Sequence, residues 1–332
     1  MQIKYIDGPR LHRAIQAGIN HVITRKDYLN KINVFPVPDG DTGTNMTFTL
    51  ATISEETKSN NNKRVSKVAD ASLNGARGNS GSILAQFFVG FADGIASFHR
   101  LTPGRFSQTI KTSKNYSYDT LSEPKEGTIL SVIADWAYAV KNIHETHNDF
   151  VMILDFAFEQ AQESLRKTQE KLAILKKSGV VDAGTQGFVD FLEGINHFIE
   201  KGEMDDVDTS TIAEPVDNFE MEIFDEFRYC TECLVAGNDI DRIKLKEQLM
   251  NLGANIVLAG SKKKAKIHIP ASVSGTMQSA TLAAGDTKDL PIDLIDSQNG
   301  SVGIGLIALQ AAETVKAELP KEEILKTRQK NW

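Results

Sequence analysis

The run Asn33-Val34-Phe35-Pro36-Val37-Pro38-Asp39-Gly40-Asp41-Thr42-Gly43-Thr44-Asn45-Met46 sets two carboxylates on alternate residues of a Gly/Pro-stiffened turn, ahead of a predicted helix. Mg²⁺ is a hard ion that takes oxygen ligands in a tight octahedron, one or two from protein carboxylates and the rest from water and phosphate. Asp39 and Asp41 suit that demand. The prolines restrict the turn, Gly40 and Gly43 permit close backbone approach to a ligand, and a helix opening near Thr44 offers free N–H groups to an anion. A solvated Asp-Gly-Asp turn is the plainer reading of such a run. The flanking apolar residues and a second glycine-rich segment favour the site.

That segment, Asn74-Gly75-Ala76-Arg77-Gly78-Asn79-Ser80-Gly81-Ser82, leads into Ile83, Leu84, Phe87, Phe88 and Phe91 at helical spacing. Its backbone amides and the Ser80 hydroxyl can wrap an oxyanion, with Arg77 adding charge. It is not a Walker loop, because no Lys-Ser/Thr pair follows the last glycine, and it lacks the preceding strand of a dinucleotide fingerprint. A glycine hinge between two helices is the alternative. Two further punctuated elements open helices: Pro124-Lys125-Glu126-Gly127-Thr128 before Ile129, Val132, Ile133, Trp136 and Val140, and Val181-Asp182-Ala183-Gly184-Thr185-Gln186-Gly187 before the next.

The elements that must position these motifs read as helices. Leu11, Ile15, Ile19 and Val22 keep a 3.6-residue period, as do Met46, Leu50 and Ile53, and the stretch from Phe150 to Leu175 is apolar-periodic and free of proline. Phe87, Phe88 and Phe91 read as core rather than ligand contacts, given how often Phe is buried. His12, His21, His99 and His144 read as surface or helix-end residues.

Taken in this order, the motifs make residues 1–201 resemble the ATP-binding domain of the dihydroxyacetone-kinase superfamily (DhaL-type), and most closely the ATP-binding subunit of bacterial fatty-acid kinase, whose hallmark run is the one at 33–46. The resemblance implies an N-terminal all-α antiparallel eight-helix barrel, followed by a smaller α/β region, with ATP and Mg²⁺ at one end of the barrel. By resemblance, Asp39 and Asp41 hold the metal and serve catalysis, and Asn33 stands near it in place of a third aspartate of dihydroxyacetone kinases. Thr42, Gly43, Asn45, Gly78, Asn79, Ser80 and Gly81 are expected around the phosphates. Thr128, Asp182 and Gly184 are expected to line the nucleotide pocket, the last two toward the base. A homodimer is also expected.

A chain of 332 residues is long for one core, so two or more domains are expected. A net charge of −7 and a pI near 5.6 argue against nucleic acid or an anionic membrane surface as partner. Lys262-Lys263-Lys264 reads as a solvated hairpin tip. Two cysteines point to a reducing cytoplasm. The polar N-terminus and the lack of about eighteen consecutive apolar residues predict neither a secretory nor a transmembrane segment.

Residues 202–218 read as an acidic linker, without periodicity and with Glu214-Pro215 near its end. Beyond it the pattern turns to strand and helix: Arg228 to Val235, Ala254 to Ala259 and Ala265 to Ile269 as strands, Asp241 to Leu252 as a helix. Residues 219–269 resemble the middle domain of the ATP-binding fatty-acid-kinase protein, through Tyr229-Cys230-Thr231-Glu232. In that family a cysteine binds a metal with two histidines of a later strand. Cys230 and His268 match the first two positions, and Pro270 stands where the second histidine belongs. Zn²⁺ held by Cys230 and His268, with Cys233 open as a further donor, is one reading; a buried strand thiol beside an ordinary histidine is the other.

Residues 270–332 resemble part of a DegV-type fatty-acid-binding protein, through Pro270-Ala271-Ser272-Val273-Ser274-Gly275-Thr276, Ile295-Asp296-Ser297 and Gly303-Ile304-Gly305. The expectation is an internally deleted, shortened fusion, with a helix from Ser274, a strand at Ile292 to Ile295 and a helix from Val302 to Ala317. About sixty residues are too few to enclose an acyl chain, since cavities bury most of a ligand's surface. The function expected is phosphoryl transfer from ATP to a fatty-acid carboxylate, alone or with a separate intact DegV-type protein. The alternatives are a nucleotide-binding or regulatory protein without productive catalysis, and a dihydroxyacetone-type (glycerone) kinase.

Overall fold

The computed structural model describes residues 2–36, 38–58, 65–96, 100–209, 212, 229–250 and 256–271. Most of these form helices: α1 (Gly8–Thr24), α2 (Lys26–Lys31), α3 (Thr42–Lys58), α4 (Val65–Gly75), α5 (Gly78–Ile95), α6 (Pro103–Tyr118), α7 (Ile129–His144), α8 (Phe150–Lys171), α9 (Ala173–Ser178) and α10 (Ala183–Lys201). Local chemistry sets their ends. Asp7, Asp149 and Asp182 each accept a backbone N–H as N-caps of α1, α8 and α10, Pro103 occupies the first turn of α6, and Gly179 and Gly202 close α9 and α10 in the left-handed conformation.

The longer helices pack in a closed succession of neighbours, α1–α3–α4–α5–α6–α7–α8–α10 and back to α1. Their apolar stripes meet in one core, where Phe87 contacts Phe88, Phe91, Trp136 and Phe188 at ring-centroid distances of 5.6–6.5 Å. The periodic residues expected to face inward do so: Ile15, Ile19, Val22, Met46, Leu50 and Ile53 are all buried. None of the described helices is long and apolar enough to cross a membrane.

A small antiparallel sheet, ordered β1-β3-β2, follows: β1 (Tyr229–Ala236), β2 (Val257–Gly260) and β3 (Lys264–Ala271), with α11 (Arg242–Leu249) between β1 and β2. The expected helix begins as expected, capped by Asp241, whose carboxylate accepts from Ile243 N and Lys244 N. The β2 edge of the sheet does not end in solvent. Leu121 bridges Val257, Leu258 N donates to Thr120 O at 2.8 Å, and Ser122 N donates to Ile256 O at 3.0 Å, so the loop after α6 covers the β2 edge. Lys246 Nζ donates to Asp119 O and Leu121 O at 2.9 and 2.5 Å, placing a cation at the C-terminal end of α6. Burial there holds the Lys246 ammonium below its ordinary pKa.

Two sequence readings gain detail. Lys262 and Lys263 are exposed at a hairpin tip, but Lys264 turns back to the helical domain. His21 is not a plain surface residue: its ring lies between Asp205 (Nδ1–Oδ2 2.9 Å) and Glu193 (Nε2–Oε2 3.5 Å), tying the segment after α10 to α1. Residues 210–211 and 213–218 of the expected linker, and the elements expected from Ser274 onward, lie outside the described residues.

Candidate functional site

The four motifs, dispersed from Asn33 to Gly187 in the sequence, meet around one end of the helical domain. Each contributes the start of a helix: α3 at Thr42, α5 at Gly78, α7 at Ile129 and α10 at Ala183. Their contacts form a circuit. A methyl group on Gly78 would lie 2.6 Å from Asn45 Nδ2, joining the first motif to the second, and one on Gly184 would lie 2.6 Å from Ser80 Oγ, joining the second to the fourth. The Ile129 amide donates to the Asp182 carboxylate, joining the fourth to the third. Lys125 Nζ lies 5.8 Å above the Phe35 ring and returns the circuit to the first. Helix starts carry partial positive charge, and that of α5 has no side-chain cap on its first amides, so the four together make a place for a polyanion.

Asp39 and Asp41 are exposed at the mouth of this end. Asn33 Nδ2 donates to Asp39 Oδ1 at 2.5 Å, and buried Asn33 in turn accepts from Thr42 Oγ1. Asn45 Nδ2 donates to Asp41 Oδ2 at 2.8 Å, while Asn45 N donates to Asp41 O at 2.8 Å in the first helical bond of α3. Each carboxylate is thus aimed by an amide. Two exposed carboxylates held in place by neighbouring amides suit an ion that takes two protein oxygens and completes its shell with water and phosphate. The residues present fit Mg²⁺.

The glycines divide by task. Gly40 (φ 66°) and Gly78 (φ 56°) occupy the left-handed region that a side chain rarely tolerates. Gly43 serves packing: a methyl group there would lie 2.2 Å from Lys26 O and 2.9 Å from Leu29 Cβ. Its smallness lets α3 start against α2, a packing demand that the sequence reading does not include. Arg77 stacks 5.1 Å over the Phe48 ring and donates to Ala76 O at 3.0 Å, which fixes the loop that carries its charge.

Asn30 gives no sign in the sequence of belonging to the site. Its Oδ1 accepts from Thr44 N at 3.0 Å and its Nδ2 donates to Thr44 Oγ1 at 2.9 Å, so it caps α3 from α2. The sequence offers Asp41 at the usual cap position instead, and nothing in it announces a cap from α2.

Thr128 is half-buried at the start of α7, its Oγ1 donating to Lys125 O at 2.8 Å. Asp182 is buried as the cap of α10: its Oδ2 accepts from Thr185 N at 2.8 Å and Thr185 Oγ1 at 2.7 Å. Burial pushes its carboxyl pKa up from the ordinary 3.8, outweighing the hydrogen bonds from Thr185 and Ile129. The folded state therefore holds this proton more tightly than the unfolded chain, and unfolding releases it. Stability falls as pH rises from about 3.8 through the raised folded value. Asp182→Asn removes that slope. Denaturant midpoints of the two proteins at a series of pH values are expected to shift in the variant's favour as pH rises; parallel curves would refute the assignment.

The zinc reading rests on the Cys230 side chain, which lies outside the described residues. The backbone register places Cys230 opposite Pro270 and Glu232 opposite His268.

Comparison with known proteins adds a family. The DAK2 domain family matches residues 36–197, and the fatty acid kinase A-like middle-domain family matches residues 226–302, running through the point where the sequence reading passes to a DegV-type resemblance. Protein YloV of Bacillus subtilis (strain 168) is 30% identical over 319 residues, covering 91% of this chain and 58% of the relative. Uncharacterized protein SH1689 of Staphylococcus haemolyticus is 29% identical over 315 residues, covering 90% of this chain and 57% of its own. The chain thus spans under three-fifths of the length of these relatives. The dihydroxyacetone kinase from C. freundii, solved in complex with AMP-PNP and Mg²⁺, is similar at a TM-score of 0.42 and 14% identity, covering 55% of this chain and 33% of that one, a likeness too loose to bear on the site. The chain thus carries a DAK2 domain followed by a fatty acid kinase A-like middle domain, the pairing of an ATP-binding subunit of this kinase type.

Proposed function

We propose that this chain is the ATP-binding part of a fatty-acid kinase, built on a helical barrel of the dihydroxyacetone-kinase type, and that it phosphorylates a fatty-acid carboxylate presented by a DegV-type module. The observation that carries the reading is the meeting of four helix starts beneath two exposed, amide-aimed carboxylates. Kinase family membership supports the reaction class; the substrate is our inference from the middle domain.

In this reading Asp39 and Asp41 would hold Mg²⁺, which neutralises charge on the nucleotide phosphates when bound. The amides of Gly78 to Gly81 and the Ser80 hydroxyl receive the phosphate oxygens, with Asn45 and the Thr42 to Thr44 turn on the opposite side. Thr128 and Gly184 border the nucleotide. A carboxylate oxygen attacks the γ-phosphorus in line, the bond to the bridging oxygen of the β-phosphate breaks, and ADP leaves with that oxygen. A carboxylate nucleophile arrives already deprotonated, so no general base is required, and catalysis is positioning and electrostatics. The exposed position of Asp39 and Asp41 leaves room for a carboxylate delivered by another protein.

The test is an ADP-release assay with Mg-ATP and a long-chain fatty acid, with and without an intact DegV-type protein. ADP that depends on fatty acid supports the reading, and dependence on the added protein assigns the acyl site to it. Mg-ATP binding without fatty-acid-dependent ADP in either case favours a nucleotide-binding regulator. ADP release with dihydroxyacetone instead moves the substrate to a glycerone.

A further inference from the structure

The β2–β3 hairpin reaches the helical domain at the junction that carries the second glycine-rich motif. Lys264 Nζ donates to Asn74 Oδ1 at 3.1 Å, a contact between residues 190 apart in sequence. Asn74 Nδ2 donates to Glu56 Oε1 on α3 at 3.0 Å, so one side chain is gripped from two elements. It stands one residue before the end of α4, and α5 opens at Gly78.

The hairpin that delivers Lys264 is itself fixed. Ser261 N donates to Lys264 O at 2.7 Å, and Ser261 Oγ accepts from Lys263 N and Lys264 N at 3.2 and 3.3 Å. Gly260 N donates at 2.6 Å to Oε1 of Gln86, a fully buried residue of α5. From the inner side, Thr49 Oγ1 donates to Gly75 O at 2.9 Å, and Arg77 stacks on Phe48, both from α3. The α4–α5 junction is thereby held between α3 within and the small sheet without.

We propose that Lys264 is a positioning residue for the phosphate-binding loop: its ammonium, supplied by the middle segment, fixes Asn74 and keeps the start of α5 in register with α3. The proposal rests on the nucleotide site proposed above. A charge-assisted hydrogen bond is stronger than a neutral one and carries direction. Without it, Asn74 keeps only the exposed Glu56 of α3, and the sheet's hold on α5 is left to the Gly260–Gln86 bond, about two turns beyond the loop. Coupling of this kind is reciprocal: nucleotide affinity depends on the docked sheet, and bound nucleotide tightens the docking.

The experiment uses the full chain with Lys264→Met, which keeps the apolar stem and removes the ammonium, and with Lys264→Arg, which restores a cation. Lys262→Met and Lys263→Met, at the exposed tip, serve as comparison. Mg-ATP affinity is measured by calorimetry, and amide hydrogen exchange is followed over residues 74–80 without nucleotide. Lys264→Met is expected to weaken Mg-ATP roughly three- to tenfold and to speed exchange at 74–80, Lys264→Arg to recover most of both, and the tip variants to change neither. Unchanged affinity in Lys264→Met overturns the proposal, with or without faster exchange. If the unsubstituted chain binds no Mg-ATP, the nucleotide reading fails by itself, and the clamp then stands or falls on exchange at 74–80 alone.

Discussion

Replacing both carboxylates, Asp39→Ala with Asp41→Ala, is expected to abolish Mg²⁺-dependent ATP binding, by more than about a hundredfold, while leaving the folded state intact. The size follows from the chemistry of the ion. Two hard anionic oxygens are the protein's share of the shell, and neither Asn33 nor Asn45 can replace their charge. The harmlessness to the fold follows from exposure: both aspartates lie at the surface of the turn, outside the core of buried helix faces. The readout is thermal unfolding with and without Mg-ATP. A ligand at a hundred times its Kd adds about 2.7 kcal/mol to the unsubstituted chain, and that increment should vanish in the double variant, whose unfolding without ligand stays close to that of the parent. Single variants of the aiming amides, Asn33→Ala or Asn45→Ala, should fall between, at about ten- to a hundredfold, as removal of residues that orient metal ligands usually does. A double variant that keeps its Mg-ATP increment would place the nucleotide elsewhere.

How much of this architecture is legible in the residues alone depends on the range of the interaction concerned. The turn at 38–43 and the loop at 75–81 are read from residue types at adjacent positions, because glycine, proline and paired aspartates constrain backbone and charge locally. Helix faces are read the same way: Ile15, Ile19 and Val22 repeat with the helix and are buried. What periodicity cannot supply is the neighbour each face meets. That α10 returns to α1, or that Gly184 comes against Ser80, depends on packing across the whole domain. Asn30 and Lys264 escape notice for this reason. Asn30 looks like an ordinary residue near a helix end until α3 is laid against α2, and Lys264 looks like one of three solvated lysines until the hairpin is docked. Gly43 is legible as special but not as to why, since a glycine needed for a ligand and one needed for a crossing helix have the same letter.

Gly43 also gives the most direct test of how the site is built. Gly43→Ala is expected to destabilise the helical domain by about 3 kcal/mol or more, at the upper end of what overpacking a close contact usually costs. The added methyl would stand 2.2 Å from the Lys26 carbonyl oxygen, which is backbone and cannot rotate aside, and 2.9 Å from Leu29 Cβ. Leu29 is fully buried, so α2 has no room to retreat. The start of α3 must move instead, taking with it the Asn30 cap on Thr44 and the Asn45 amide that aims Asp41. Stability and Mg-ATP affinity should therefore fall together. Gly40→Ala is the contrast: its methyl would meet nothing nearer than Asn30 O at 3.7 Å, so only the left-handed backbone at φ 66° resists it, at about 1–2 kcal/mol. Chemical denaturation of the two variants, with nucleotide titrations alongside, separates a glycine required by packing from one required by a turn. Equal losses in both would mean that the α2–α3 crossing yields more readily than its contacts imply.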